Sequence, residues 1–203
     1  MKQQFIVLTT ALVLCITSAY AQKGEDKLVS FGIRGGVNLQ NIYGDDFLGN
    51  KLSNDLKTGF HAGVNADMFI SEGFYLQPGL LYSTKGAKRT DNNVEYTQDI
   101  SYIELPVNVL FKPELGSGRF LLGAGPYAAY GISGKSKTKT GSAAVELDAK
   151  FKSKISAAEY ATMLLNGAYS VSPWDTRGNT LIGYELSNGI SLQSNGQTGL
   201  SQI

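Results

Sequence analysis

The chain has 203 residues, of which 42% are hydrophobic and only 17% charged, with 24 glycines and 11 tyrosines. Eighteen basic residues against seventeen acidic ones leave no electrostatic case for binding nucleic acid. The length suits one large all-β domain or two small domains.

The N-terminal stretch "MKQQFIVLTTALVLCITSAYAQ" reads as a secretory leader. Lys2 supplies the basic start, residues 5–16 the short apolar core, and Ala19-Tyr20-Ala21 an A-x-A cleavage signal between Ala21 and Gln22. The apolar run is well short of the ~20 residues a helical membrane span needs. Leu14 stands before Cys15 where a lipoprotein signal would carry a small residue. The expected organisation is a leader over residues 1–21 and one domain over residues 22–203. Cys15 is the only cysteine, so the mature chain has no thiol for catalysis, disulfides or metal ligation.

Seven segments then alternate apolar and polar residues with the period of a β-strand. In "VSFGIRGGVNL" (29–39), Val29, Phe31, Ile33, Val37 and Leu39 share one face, and Arg34 and Asn38 lie on the other. "TGFHAGVNADMFI" (58–70) sets Phe60, Val64, Met68 and Ile70 against His61, Asn65 and Asp67. "FYLQPGLLYSTK" (74–85) sets Phe74, Leu76, Leu80 and Tyr82 against Gln77, Ser83 and Lys85. "ISYIELPVNVLF" (100–111) sets Leu105, Val107, Val109 and Phe111 against Glu104 and Asn108. "RFLLGAGPYAAYGI" (119–132) sets Phe120, Leu122, Tyr130 and Ile132 against Arg119 and Tyr127, and "NTLIGYEL" (179–186) sets Ile182, Tyr184 and Leu186 against Asn179 and Glu185. "ISLQSNGQTGL" (190–200) begins with Ile190 and Leu192 outward and then turns polar.

Connection lengths alternate as well. "SEG" (71–73), "KPELGSG" (112–118) and "SNG" (187–189) are tight glycine-bearing turns, whereas residues 40–57, 86–97 and 133–175 read as long polar loops. Short turns on one side and long loops on the other characterise outer-membrane barrels. Aromatic residues on the apolar faces fall into two sets. Phe31, Phe74, Phe111, Phe120 and Tyr184 lie near the short turns, and Phe60, Tyr82 and Tyr130 near the long loops, as interfacial belts require.

The pattern predicts an up-and-down antiparallel transmembrane β-barrel of the eight-stranded type, with seven strands visible and the last absent. That arrangement leaves the first and seventh strands without partners, which hydrocarbon does not tolerate, so the expectation is a truncated reading frame or a chain that cannot close without help. An eight-stranded lumen is just wide enough for its own side chains. Its inward charges are Arg34, Asp67, Lys85, Glu104, Arg119 and Glu185, and they must be paired. Strand depth predicts Arg34 with Glu104 at mid-barrel, Asp67 with Arg119 and Glu185 at the short-turn end, and Lys85 solvated near the loops. The network is read as filler of a plugged lumen, with a gate or proton path through Arg34 and Glu104 as the sharper alternative. Pro78, Pro106 and Pro126 fall inside strand patterns and predict bulges.

Six stretches, "GIRGGVNL", "GFHAGV", "LQPGLLYSTKGAK", "YIELPV", "GAGPYAAYGIS" and "GYELSNGISL", cover most of the mature chain. In order and spacing they resemble the PorT-type "porin family" of small outer-membrane β-barrel proteins of Bacteroidetes. The resemblance implies an outer-membrane location in a Gram-negative envelope and assembly by the barrel machinery, and it carries no shared catalytic motif.

His61 has no second histidine or cysteine beside it, so no histidine-based metal or triad site is expected. Asp45 and Asp46 lack regular cation-loop spacing, "GKSKTKTG" (134–141) reads as a solvated basic loop, with contact to lipopolysaccharide phosphates as the sharper alternative, and residues 156–170 have helical composition. No cofactor and no enzymatic activity are expected. The role these features favour is structural or surface-interacting, through long loops that face lipid, lipopolysaccharide and an unidentified extracellular partner. The alternatives are a narrow-pore transport or secretion accessory and a soluble periplasmic lipocalin-like barrel with its apolar face inward.

Overall fold

A computed structural model of the chain describes residues 9–13, 28–40, 57–91, 93–152 and 156–199. Seven long strands carry the barrel: β2 (Val29–Gln40), β3 (Lys57–Ser71), β4 (Phe74–Asp91), β5 (Val94–Phe111), β7 (Gly118–Thr140), β10 (Trp174–Glu185) and β11 (Ser191–Gly199). Each is antiparallel to the next around the ladder β2-β3-β4-β5-β7-β10-β11. The short strand β1 (Thr9–Val13) stands between the last and the first. It pairs antiparallel with Gln193–Gln197 of β11 and, through Thr9 and Thr10, with Gln40 and Leu39 of β2. The sequence pattern left those two edges unpartnered; in the structure a segment of the expected leader lies between them. The cleavage site Ala21-Gln22, the loop residues Asp45 and Asp46, and residues 200–203 lie outside the described residues.

The apolar faces point outward. Phe31, Ile33, Phe60, Val64, Leu80, Leu105, Val109, Leu122, Ile182 and Leu192 are all half or more exposed, while Arg34, His61, Gln77, Glu104, Asn108, Asn179, Gln193 and Asn195 are buried on the inner face. This is the inverse of a soluble barrel, so the lipocalin-like alternative is excluded. Aromatic pairs mark the two rims. Phe74 packs on Phe111 near the short turns (4.9 Å between centroids), and Phe60–Tyr82 (5.9 Å) and Tyr130–Trp174 (5.0 Å) near the loop side. Tyr82, Ile103, Tyr130 and Trp174 are successive cross-strand neighbours, as are Phe74, Phe111, Leu122 and Ile182. Along β4 the two rows are about 26 Å apart, which a tilt of ~40° turns into roughly 20 Å of membrane thickness.

Two expected loops are largely strand. The connection at 86–97 is a continuation of β4 and β5, paired as far as Asp91 and Val94 around a tight turn in which Asn93 has φ 66°. Beyond residue 133, β7 runs on to Thr140 and turns into β8 (Ala143–Phe151). A helix α1 (Ala157–Leu165) follows, then β9 (Ala168–Val171), which lies parallel to the end of β8. Ser156 caps the helix by accepting the Glu159 amide (3.2 Å), with Glu159 in the capping-box position, and Gly167 (φ 70°) ends it. A two-residue strand β6 (Glu114–Leu115) tightens the 112–117 turn against Gly118 and Arg119. The barrel wall therefore extends on one side into a sheet made of the outer halves of β4, β5 and β7 with β8 and β9.

The prolines do not make bulges. Register shifts fall at Phe69/Ser71 and Ser101/Tyr102, whereas around each proline the register is unchanged and only the ladder bonds lapse. Pro78 coincides with a lapse between β3 and β4, Pro106 between β4 and β5, and Pro126 between β5 and β7. Each removes the amide that would have bonded to the preceding strand. Glycine sits beside the last lapse for a steric reason: a Cβ on Gly125 would lie 1.9 Å from the Val107 carbonyl oxygen.

Candidate functional site

At the short-turn end, Lys112 Nζ holds Asp67 in a short contact and Glu185 at 3.0 Å, while Gln77 Nε2 donates to the other oxygen of Asp67 at 2.7 Å. Lys112 lies beyond the strand pattern, yet it continues the inward parity of Glu104, Asn108 and Leu110 on β5; that parity was the available signal for it. Arg119 is exposed at the rim, 3.9 Å from Glu185. Thus Asp67, Glu185 and Arg119 do come together, but around a lysine that pattern reading missed.

Above this lies an apolar layer. Leu110, Leu121 and Leu181 from β5, β7 and β10 are buried together, with Tyr75 packed against them. Asn179 Nδ2 donates to Asn108 Oδ1 (2.8 Å) just above.

At mid-barrel the structure corrects the expected pairing. Glu104 is bound by Lys85 at 3.0 Å, not by Arg34, and Lys85 is buried rather than solvated. The Lys85 ammonium also donates to Tyr127 Oη (2.5 Å) and Gln197 Oε1 (3.0 Å), lies 4.5 Å from the centroid of the Tyr127 ring, and is 3.9 Å from Asp175. Asp175 in turn accepts from Arg177 Nε at 2.7 and 2.9 Å. The strand tilt explains the exchange: Lys85 reaches down from the loop end by its long flexible stem, whereas Arg34 and Glu104 sit on strands separated by β3 and β4. Arg34 and Glu104 do line one cavity of about 30 Å³, together with His61, Asn195 and Tyr127. His61 Nδ1 contacts Asn38 Oδ1 at 2.7 Å.

The stretch read as a basic loop is a strand. Lys135, Lys137 and Lys139 alternate along β7, opposite Asp99, Thr97 and Glu95 on β5 and Asp148, Glu146 and Ala144 on β8. Lys135 bonds Glu146 (2.5 Å), and the Lys135 ammonium holds the Glu146 carboxyl below its usual range. Lys88 and Glu95 pair at 2.9 Å across the β4–β5 hairpin, and the Lys88 bond holds Glu95 low in the same way. Lys57 ties Asp99 to the barrel rim at 2.5 Å. Val145 and Tyr96 are exposed on this sheet.

Among the described residues no group of three or more His, Cys, Asp or Glu side chains is placed to hold a metal ion. The arrangement offers a filled lumen and a large, charge-laced outer sheet. Residues 20–203 match the family model for an outer membrane protein beta-barrel domain. No curated protein and no solved structure matches the chain.

Proposed function

The chain belongs to the outer membrane protein beta-barrel domain family, and from that premise we propose that it is a non-enzymatic, non-conducting barrel that presents an interaction surface outside the cell. The observation that carries this reading is the contrast between the two ends of the molecule. The Leu110–Leu121–Leu181 layer lies in the lumen between two ion-paired layers, a filling that supports a barrel without an open water path. The chain length that does not cross the membrane is invested in the outer halves of β4, β5 and β7 and in β8, α1 and β9. Loops positioned by a rigid scaffold are where recognition concentrates.

Within this reading the protein is a PorT-type barrel of Bacteroidetes, its leader, and with it β1, is removed between Ala21 and Gln22, and it enters the membrane through the barrel-assembly machinery, which then has the edges of β2 and β11 to close. Its outer sheet meets lipopolysaccharide at the rim and an extracellular partner beyond it, and nucleic acid is not a ligand. The experiment is a pair of measurements on the full-length protein. A cysteine introduced at Val145 should react with a membrane-impermeant maleimide on intact cells, and the purified barrel should be silent in planar bilayers. Labelling only after lysis, or discrete conductance steps, would overturn the proposal.

A further inference from the structure

The mid-barrel cavity contains more unused polar groups than filler requires. Arg34 is buried, with 6% of its surface exposed, it makes no ion pair among the described residues, and its Nε has no hydrogen-bond partner. Its neighbours in the cavity wall, His61 and Asn195, are equally buried, and His61 Nε2 and both amide atoms of Asn195 are likewise without partners. These groups come from β2, β3 and β11 and face one space of about 30 Å³. That is enough for one or two waters or one halide-sized ion.

The proton on His61 can be assigned from its surroundings. Asn38 Nδ2 donates to Ser83 Oγ (2.9 Å) and to the carbonyls of Phe60 and Thr84 (3.3 Å each), which fixes Asn38 Oδ1 as the atom facing His61. His61 Nδ1 therefore carries the hydrogen, and Nε2 of the neutral ring is a buried acceptor without a partner on a residue that lines the cavity. With a neutral ring, a water accepting from Arg34 Nε and donating to His61 Nε2 would satisfy both atoms.

Adding a proton at Nε2 reverses this fit. The cavity then faces N–H donors from Arg34, His61 and Asn195 and no free acceptor on the ring. The charged groups around it are Arg34 on β2, Lys85 on β4 and Glu104 on β5, with the Tyr127 phenol on β7. Glu104 pairs with Lys85 (3.0 Å) although its Oε1 accepts no hydrogen bond, so beside a neutral ring Arg34 is one uncompensated positive charge that water can solvate, and protonated His61 adds a second.

We propose that this cavity is a proton-coupled site for a halide-sized monovalent anion, water-filled when His61 is neutral and anion-filled when His61 Nε2 is protonated. The step adds one proton from solution to the Nε2 lone pair and exchanges water for one anion, with no other bond made or broken.

The test is bromide soaked into crystals of the full-length protein at pH 5 and at pH 7.5, located by its anomalous scattering. The expected result is one peak among Arg34, His61 and Asn195 at pH 5, with occupancy at least tenfold lower at pH 7.5. Absence of a peak there at pH 5, with water in its place, overturns the anion site. Equal peaks at both pH values overturn the proton coupling. As a second readout, replacing isethionate by bromide at constant ionic strength should raise the thermal midpoint at pH 5 in the unmodified protein and not in Arg34→Met or His61→Gln. A bromide effect that persists in both variants places the ion elsewhere and also overturns the assignment.

Discussion

Lys112→Met tests whether the short-turn mouth is held by one buried cation. The substitution keeps the length of the stem and deletes only the ammonium. In its absence Asp67 and Glu185, both largely buried, keep among the described residues the Arg119 guanidinium, at 3.9 Å from Glu185 and half exposed, as their cation. A 3.0 Å contact at an effective dielectric of about 20 is worth roughly 5 kcal/mol before desolvation. Removing one partner of a buried pair costs about 3–5 kcal/mol, and the position near the rim favours the lower end, ~3 kcal/mol. Reversible urea unfolding in lipid vesicles, followed by the fluorescence of Trp174, the single tryptophan, measures this. Adding Asp67→Asn and Glu185→Gln to the Lys112→Met background should recover more than half of the loss, because the stranded charges are then gone. A loss below ~1 kcal/mol in the single variant, or no recovery in the triple, would refute the reasoning.

Other expected outcomes follow from the same geometry. Gly125→Ala drives its new methyl into the Val107 carbonyl and should cost about 1–3 kcal/mol in the same unfolding assay, whereas Gly178→Ala, with open space around it, should stay within ~0.5 kcal/mol. Val107→Arg puts a cation on the lipid face between the aromatic rows and should cost about 2–4 kcal/mol, while Glu72→Arg, exposed in the 71–73 turn, should be nearly neutral. In the outer sheet, Glu95 and Glu146 are held below their ordinary value of 4.5 by Lys88 and Lys135. A depressed carboxyl contributes order above its unfolded pKa and loses it as pH falls through the folded one. Protection factors (exchange normalised to the intrinsic rate at each pH) across the β4–β5 turn and along β8 should therefore be flat from pH 7 to 5 and fall below pH 4, with those of the barrel strands unchanged.

The barrel wall was legible because each membrane-crossing residue answers to one of two unlike environments, so alternation in Val29–Gln40 or in residues 100–111 is sharp. The outer sheet was not, because both of its faces meet water and the apolar period vanishes. What survives is charge, and "KSKTKT" at 135–140 carries a period of two that belongs to a strand, not a loop. Within the lumen, parity gave the inward set but not the partners. Lys85 pairs with Glu104 because a four-carbon stem spans a distance that strand depth alone does not measure, and Lys112 was hidden by being counted with its turn. The prolines showed the reverse difficulty: the lost ladder bonds were foreseeable, but their absorption without a change of register was not.

The central claim is that apolar residues face lipid and polar ones a closed lumen. It is tested most directly by spin labels placed one at a time from Tyr102 to Phe111 on β5, in a Cys15→Ser chain reconstituted in bilayers. The account predicts high oxygen accessibility at 103, 105, 107, 109 and 111 and low accessibility to both oxygen and a water-soluble nickel complex at 104, 108 and 110. The opposite phase, or uniform access of the nickel complex to the even positions, would contradict it.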